Sequence, residues 1–341
     1  MVTIDADAHV LENERTWDYM DPSEHKFRPV IVSERDPQPP GTEYWLVDGK
    51  FQPKVKNVGQ ETPKASREMA DISSRLRHMD ELEIDIQVLY PSLFLRPLTR
   101  RPEVELALCK SYNRWLADIW RQEKKRLRWV TVLPLLTIDK ALDEARFAKK
   151  NGACGIFLRG LEGERRLNDP YFFPVYEEAR RLDMPVCVHS ATGSFTLFEF
   201  FTQECGFSKF KLAGVGAFHS FIYDGIPDKF PGLRFAFIEF SAQWLPYAIH
   251  DLAKRFQRRG QSLQKELLRE KRIYVACQTD DDMPNVVKYS GENNLVIGSD
   301  YGHSDTASEI EALRKLKRQG GLNPDTIGKI LDDNPRTLYG L

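Results

Sequence analysis

From about residue 80 the chain alternates between compact apolar runs and longer stretches whose apolar residues recur at helical spacing. Seven runs read as strands: Ile84–Tyr90, Trp129–Leu133, Gly155–Leu158, Val186–His189, Phe235–Glu239, Ile273–Ala276 and Leu295–Gly298, with Val2–Asp7 as an eighth. Short runs without in–out alternation suit parallel strands buried on both faces. Between them, Glu103–Glu123 places Leu106, Leu108, Tyr112, Trp115, Leu116 and Ile119 at helical intervals, and Ile138–Lys150, Phe173–Leu182, Trp244–Phe256, Ala307–Gln319 and Pro324–Asp333 follow the same rule. Eight parallel strands alternating with helices predict the α/β class and a closed (β/α)8, or TIM, barrel. An open doubly wound sheet would want a glycine-rich phosphate loop after the first strand, where this chain reads DADAHVLE.

Residues 10–75 break the rhythm and are rich in Pro, Glu, Lys and Gly. Within them Tyr44–Val47, Asp48–Gly49 and Lys50–Gln52 predict a hairpin, since Asp-Gly suits a type I′ turn. An insertion after a barrel strand falls on the C-terminal face, so this one is expected to cap a pocket. The plainer alternative is a surface excursion. With no internal repeat or low-complexity linker, one domain over 1–341 is expected.

Composition narrows the partners. With 49 basic and 50 acidic residues the net charge is −1, which gives no electrostatic case for nucleic acid or an anionic membrane. No apolar run approaches the ~18 residues of a membrane span. The start of the chain runs directly into an acidic strand pattern, unlike a signal peptide. Five scattered cysteines without CxxC spacing read as thiols in a reducing cytoplasm.

In a parallel barrel, side chains at the strand C-termini meet over one mouth. Four strands end in metal-competent groups: Asp7 and His9 on the first, His189 on the fifth, Glu239 on the sixth, and Asp300 on the eighth with His303 a turn beyond. Asp7 and His9, two apart, share a face. Glu12 follows in the same motif, and His219 lies on a helical stretch about one element before strand six. Strand four ends in Arg159, which suits either a bidentate clamp on a substrate carboxylate or a salt bridge at the rim. Trp244, Tyr90 and Phe94 are candidates for an apolar wall.

DADAHVLE, DIQVLYPS, VTVLPL, GIFLRG, DPYFFPVYEEARRLDMPVCVHSATG, KFPGLRFAFIEFSAQWLP, GSDYGHSD and NPRTLYGL occur in one order along nearly the whole chain. Together they resemble the amidohydrolase-related family typified by aminocarboxymuconate semialdehyde decarboxylase and γ-resorcylate decarboxylase, in a branch opening on DxDxHxxE. The resemblance implies a distorted barrel with a divalent metal at its mouth, held by Asp7, His9, His189 and Asp300. Two departures stand out. Family decarboxylases carry a His at the end of strand six, where this chain has Glu239, and no strand-four Lys of the dinuclear type is present.

Metal-assisted hydrolysis of a small carboxylate-bearing cyclic or aromatic compound is the leading expectation. Asp300 or Glu239 would take a proton from metal-bound water, with His219 or His303 assisting. Non-oxidative decarboxylation is the closest rival. The surplus of candidate ligands, with Glu12, His219, Glu239 and His303 free for a second ion, raises a dinuclear oxygenase as another. Zinc or manganese would suit a single ion, and iron or iron with manganese a pair. A silent barrel serving as a partner subunit is the reading from outside enzymology. Barrels of this kind commonly self-associate, so a homo-oligomer is expected.

Overall fold

The computed structural model describes residues 2–33, 43–54, 57–318 and 321–341. Eight strands run in chain order around one sheet: β1 (Ile4–Val10), β2 (Ile86–Pro91), β3 (Leu127–Thr131), β4 (Ala153–Arg159), β5 (Val186–His189), β6 (Phe235–Ile238), β7 (Ile273–Cys277) and β8 (Leu295–Ile297). All neighbouring pairs are parallel. Closure comes just past β8: the Asp300 amide donates to the Asp7 carbonyl at 3.0 Å and the His9 amide to the Tyr301 carbonyl at 2.9 Å. Space at this seam is tight. A Cβ on Gly298 would lie 2.3 Å from that of Asp7, so glycine is what lets the last strand approach the first. The expected (β/α)8 barrel is the fold observed, and the strands, buried on both faces, carry the uninterrupted apolar runs that announced them.

Boundaries differ where side chains intercept the backbone. β3 begins at Leu127, before the apolar run, and ends at Thr131, where the Val132 amide turns to Asn113 Oδ1 at 3.2 Å. The helix expected over Ala307–Gln319 begins at Ala312. Before it, the Asp305 amide donates to Ser308 Oγ, the Ala307 amide to Asp305 Oδ1 and the Glu309 amide to the Ser299 carbonyl, holding this segment as a loop over the mouth. Gln319 lies outside the described residues. Pro324–Asp333 divides into a short α-helix, Pro324–Gly328, and a wide turn, Lys329–Asp333. No helix among the described residues is long and apolar enough to cross a membrane.

The insertion contains the expected hairpin, Glu43–Val47 with Lys50–Pro53, and an unforeseen third strand, Val30–Ser33. Asp48 and Gly49 both have positive φ, 47° and 77°, as a type I′ turn demands. Trp45 of this sheet is buried edge-on against Trp17 with ring centroids 6.0 Å apart, and the turn Glu14–Tyr19 that carries Trp17 is tied to the barrel helix Pro102–Gln122 where Ser111 Oγ donates to the Thr16 carbonyl at 2.6 Å.

Candidate metal centre

The first strand sets the site. Its register against β2 breaks between Asp5 and Ala8, a bulge that turns its end inward. Beneath the mouth, buried Asp5 accepts from the Ser299 amide at 2.9 Å, Ser299 Oγ at 2.6 Å and Gln87 Nε2 at 2.9 Å. These bonds lock β1 to its neighbours on either side. Burial nevertheless raises the Asp5 pKa to about 6.

Above it, His9 Nδ1 meets the Pro91 carbonyl at 2.9 Å, and a carbonyl only accepts, so the proton sits on Nδ1. Burial, with His303 nearby, lowers the His9 pKa to about 4. The ring is therefore neutral at pH 7 and its Nε2 lone pair looks at two carboxylates, Asp7 Oδ1 at 3.5 Å and Asp300 Oδ1 at 3.4 Å. A lone pair facing carboxylates is repulsive unless a cation stands between them. His189 Nε2 lies 3.3 Å from both Asp7 Oδ1 and Glu239 Oε2. Burial pushes the Asp7 carboxyl up, but the facing His189 outweighs it and holds Asp7 well below the usual range. Ligand atoms of Asp7, His9, His189 and Glu239 lie within 4.8 Å of one another, as do those of His9, Glu239, Asp300 and His303. His9 Nε2 and Glu239 Oε2 are buried without hydrogen-bond partners. Orphaned donor atoms aimed into a nest of carboxylates and imidazoles fit a divalent metal.

Two strand tips carry strain. Glu239 and Asp300 adopt φ of 70° and 51°, left-handed for residues that have a Cβ. Asp300 is braced by His303 Nδ1 at 2.8 Å and by Ser308 Oγ. His303 Nε2 in turn meets Ser92 Oγ at 2.8 Å. The facing Asp300 carboxylate raises the His303 pKa, although burial alone would lower it.

Over the cluster lies a cavity of about 820 Å³. Glu239 and His303 are the cluster members on its wall. Trp45, Phe207, Phe240 and Trp244 supply aromatic surface there, and the insertion reaches it through Leu11, Pro53 and Lys54. The cap expected from the insertion's position thus lies on the mouth.

Other expected residues fall elsewhere. His219 Nε2 is 2.8 Å from Asp251 Oδ2, so the ring is held between two outer helices (Ala213–Tyr223 and Leu245–Arg258) and stays away from the mouth. Arg159 is paired with Glu162 at the rim and its Nη1 donates to the Phe94 and Arg96 carbonyls at 3.4 and 3.1 Å. Of the two arrangements expected for it, the rim salt bridge is present, and the guanidinium also borders a second cavity. Phe94 borders a separate cavity beside Arg159 and packs on Tyr112. Tyr90 is sealed below the histidines, its hydroxyl 2.8 Å from that of Tyr339. Arg96, Lys211 and Asp305, which the sequence did not single out, line the main cavity.

Glu12 accepts the Ser92 and Leu93 amides at 3.2 and 2.8 Å and belongs to neither four-residue ligand group. Burial raises its pKa to about 7 in spite of those donors. A folded-state value above the ordinary 4.5 means its contribution to stability is complete below pH 4.5 and drains away as pH rises through about 7. Between those limits the wild type should lose on the order of 3 kcal/mol relative to Glu12→Gln. Denaturant unfolding of both chelator-treated proteins across pH 4 to about 8 measures this, and parallel curves would remove Glu12 as the source.

The chain belongs to the amidohydrolase family, whose model matches residues 4–341. It is an enzyme of that family, hydrolase or carboxy-lyase in reaction class. It is 21% identical over 271 residues to 2-amino-3-carboxymuconate-6-semialdehyde decarboxylase of Dictyostelium discoideum, covering 75% of this chain and 70% of the relative. Among solved structures, an amidohydrolase of Mycobacterium avium subsp. paratuberculosis superposes with a TM-score of 0.78 at 20% identity, over 100% of this chain and 98% of the other. The manganese-bound 5-carboxyvanillate decarboxylase of Novosphingobium aromaticivorans does so with a TM-score of 0.65 at 21% identity, over 78% and 79%. At these identities the structures show a shared fold.

Proposed function

We propose that the protein is a metal-dependent, non-oxidative decarboxylase of a small aromatic or unsaturated carboxylic acid. The observation that carries this reading is the position of Glu239, a cluster carboxyl with one unpartnered oxygen on the wall of an aromatic-lined cavity. The decarboxylations for which the Dictyostelium relative and the Novosphingobium enzyme are named point the same way.

Asp7, His9, His189 and Asp300 would hold one divalent ion, an oxygen and nitrogen donor set that suits manganese, zinc or ferrous iron. His9 argues for one ion over two. It belongs to both ligand groups but has a single nitrogen to give, since the other donates to Pro91. The remaining group leans on His303, whose two nitrogens already face Asp300 and Ser92. When bound, the ion supplies Lewis acidity, drawing electron density from a chelating carboxylate and its neighbouring oxygen.

The chain's own groups do the rest. Trp244 and Phe240 keep water from the reacting bond. Burial, together with Asp305, Asp300 and Asp7, pushes the Glu239 pKa well above the usual range, which favours the protonated carboxyl that this reading needs. As the carbon–carbon bond breaks, its electron pair stays on the substrate carbon, takes the Glu239 proton and becomes a C–H bond. Carbon dioxide leaves, and solvent returns a proton to Glu239.

Hydrolysis is the second reading, favoured by the same residue, because an ionised Glu239 is placed to take a proton from water. Manganese-loaded protein incubated in 18O-water with aromatic and enoate acids, 5-carboxyvanillate among them, and with carboxylate-bearing lactones and cyclic amides, whose ring bond water can cleave, separates the two. Carbon dioxide release with no 18O in the organic product is expected. Product carrying 18O without carbon dioxide would replace decarboxylation by hydrolysis.

A further inference from the structure

The second cavity, beside Arg159, has no part in the chemistry at the strand tips. Its volume is about 210 Å³, and it shares no lining residue with the main cavity. The chain after β2 divides the two. Leu93, Leu95 and Arg96 line the main cavity, and Phe94, Pro97 and Leu98 line the second. This partition is braced, since the Thr192 amide donates to the Leu95 carbonyl and Arg159 Nη1 to the Phe94 and Arg96 carbonyls. Phe157 of β4 also lines the second cavity, and its ring packs on that of His189 with centroids 5.9 Å apart. An occupant would thus lie one side chain away from the metal centre without touching it.

The walls define what could enter. Leu98, Leu108, Val132 and Leu133 supply aliphatic surface, and Phe94 and Phe157 supply ring faces and edges. A cavity of roughly 150 Å³ lined by such groups holds one benzene ring, so this one has room for a ring with a substituent. One polar group keeps capacity for a ligand. Glu105, in the first turn of the helix Pro102–Gln122, accepts the Leu136 amide at 2.7 Å and forms no ion pair among the described residues. A carboxylate has about four lone-pair sites, so Glu105 can accept again on the side where it lines the cavity. The other charged groups are engaged. Arg159 pairs with Glu162, Glu164 accepts from Ser194 Oγ at 2.6 Å and the Thr196 amide at 3.1 Å, and Arg100 lies over the Phe195 ring at 4.0 Å. With Arg100 and Arg159 set against Glu105, Glu162 and Glu164, the lining has no positive surplus to draw an acid. Burial raises the Glu105 pKa to about 7 although the Leu136 amide and Arg159 favour its charge, and surroundings that penalise this charge penalise one on a ligand as well.

We propose that this cavity is a second binding site, for a neutral single-ring aromatic compound carrying one O–H or N–H donor, a phenol or an aniline, with Glu105 as the acceptor. It excludes aromatic acids, the class proposed for the metal centre, and it depends neither on the metal nor on the reaction proposed there.

Titration of zinc-loaded protein with 4-fluorophenol, fluorobenzene and 4-fluorobenzoate, followed by 19F NMR, tests the site in solution and without turnover. Wild type should bind 4-fluorophenol saturably and about threefold to tenfold more tightly than fluorobenzene, the gain from about one net hydrogen bond. Leu136→Trp, which fills the cavity from its exposed rim, should weaken 4-fluorophenol at least about tenfold, while Trp244→Ala in the main cavity should leave it within about twofold. Glu105→Leu should bring 4-fluorophenol down to the level of fluorobenzene, and Glu105→Gln, which keeps a carbonyl acceptor, should retain part of the preference. Binding that survives Leu136→Trp, or is lost in Trp244→Ala, places the phenol in the main cavity and overturns the separate site. Absence of saturable 4-fluorophenol binding, no preference over fluorobenzene in the wild type, or 4-fluorobenzoate binding that is also lost in Leu136→Trp overturns the ligand class. If circular dichroism shows that Leu136→Trp does not fold, Glu105→Leu decides, and unchanged 4-fluorophenol binding there removes the site. The decarboxylase reading stands or falls separately, on carbon dioxide release.

Discussion

His189→Ala and Asp7→Ala each leave the protein with metal affinity weakened by at least about 100-fold, a larger loss than the loss of an outer supporting partner brings. Carbon dioxide release should fall by about a thousandfold or more, because the ion's stabilisation of developing charge goes with it. The geometry makes the effect large. Asp7 Oδ1 faces His9 Nε2 and His189 Nε2 at 3.5 and 3.3 Å, so removing either Asp7 or His189 breaks the shared centre and leaves the others as opposed buried groups. Elemental analysis after dialysis against buffered manganese reads the first effect. Wild type should retain about one equivalent, as the single usable nitrogen of His9 implies. Full retention by both variants would place the metal elsewhere. Two equivalents including iron in the wild type would revive the dinuclear alternative. Circular dichroism on His189→Asn, which keeps volume and polarity, separates metal loss from unfolding.

These strand-tip residues could be read before any coordinates because of where they sit. A parallel strand buried on both faces must be apolar throughout, so VCVH and FAFIE show where the strand ends and which residue stands over the mouth. What the pattern could not supply is the neighbour that a side chain meets. His219 has the spacing of its helix, Ala213–Tyr223, but the period alone does not say which neighbour its face meets, and Asp251 on the next helix claims it. Arg159 sits at a strand tip as expected, yet the chain doubles back through Leu161–Glu162 and Arg165–Arg166, bringing Glu162 onto its guanidinium. Arg96 was hidden for the converse reason. It lies in an irregular turn among several arginines, and only the long-range bonds from Glu12, Thr192 and Arg159 select it for the cavity. Lys211 and Asp305 are likewise brought to the wall by segments without a periodic signature, Phe207–Leu212 and the loop after β8.

The strand-six position, where the resemblance to family decarboxylases breaks, yields the sharpest prediction. Glu239→Gln should keep its metal to within about twofold yet lose about 100-fold to 10,000-fold in kcat, the span expected when a general acid is deleted. The amide matches the carboxyl in size and can still face His189, but it has no proton of the required acidity to give. The local chemistry favours a proton donor here. Asp7 Oδ1 and Asp300 Oδ1 lie 3.5 and 3.4 Å from His9 Nε2, whereas Glu239 Oε2 lies 3.9 Å from it and 3.3 Å from His189 Nε2, and its side chain reaches the cavity wall. Its three acidic neighbours, Asp305, Asp300 and Asp7, make ionisation costly, which is the condition under which a carboxyl remains an acid at neutral pH. A histidine would deliver the same proton from an imidazolium, and on the proposed decarboxylase reading Glu239 takes that part. Turnover in deuterium oxide should place one deuterium on the carbon that lost carbon dioxide, because Glu239 exchanges with solvent between cycles. Metal loss in Glu239→Gln would make the residue a ligand and pass the acid's role to His303, the other cluster member on the wall. An undiminished kcat with metal retained would leave Glu239 without a part in the reaction and would count equally against its serving as the base in hydrolysis.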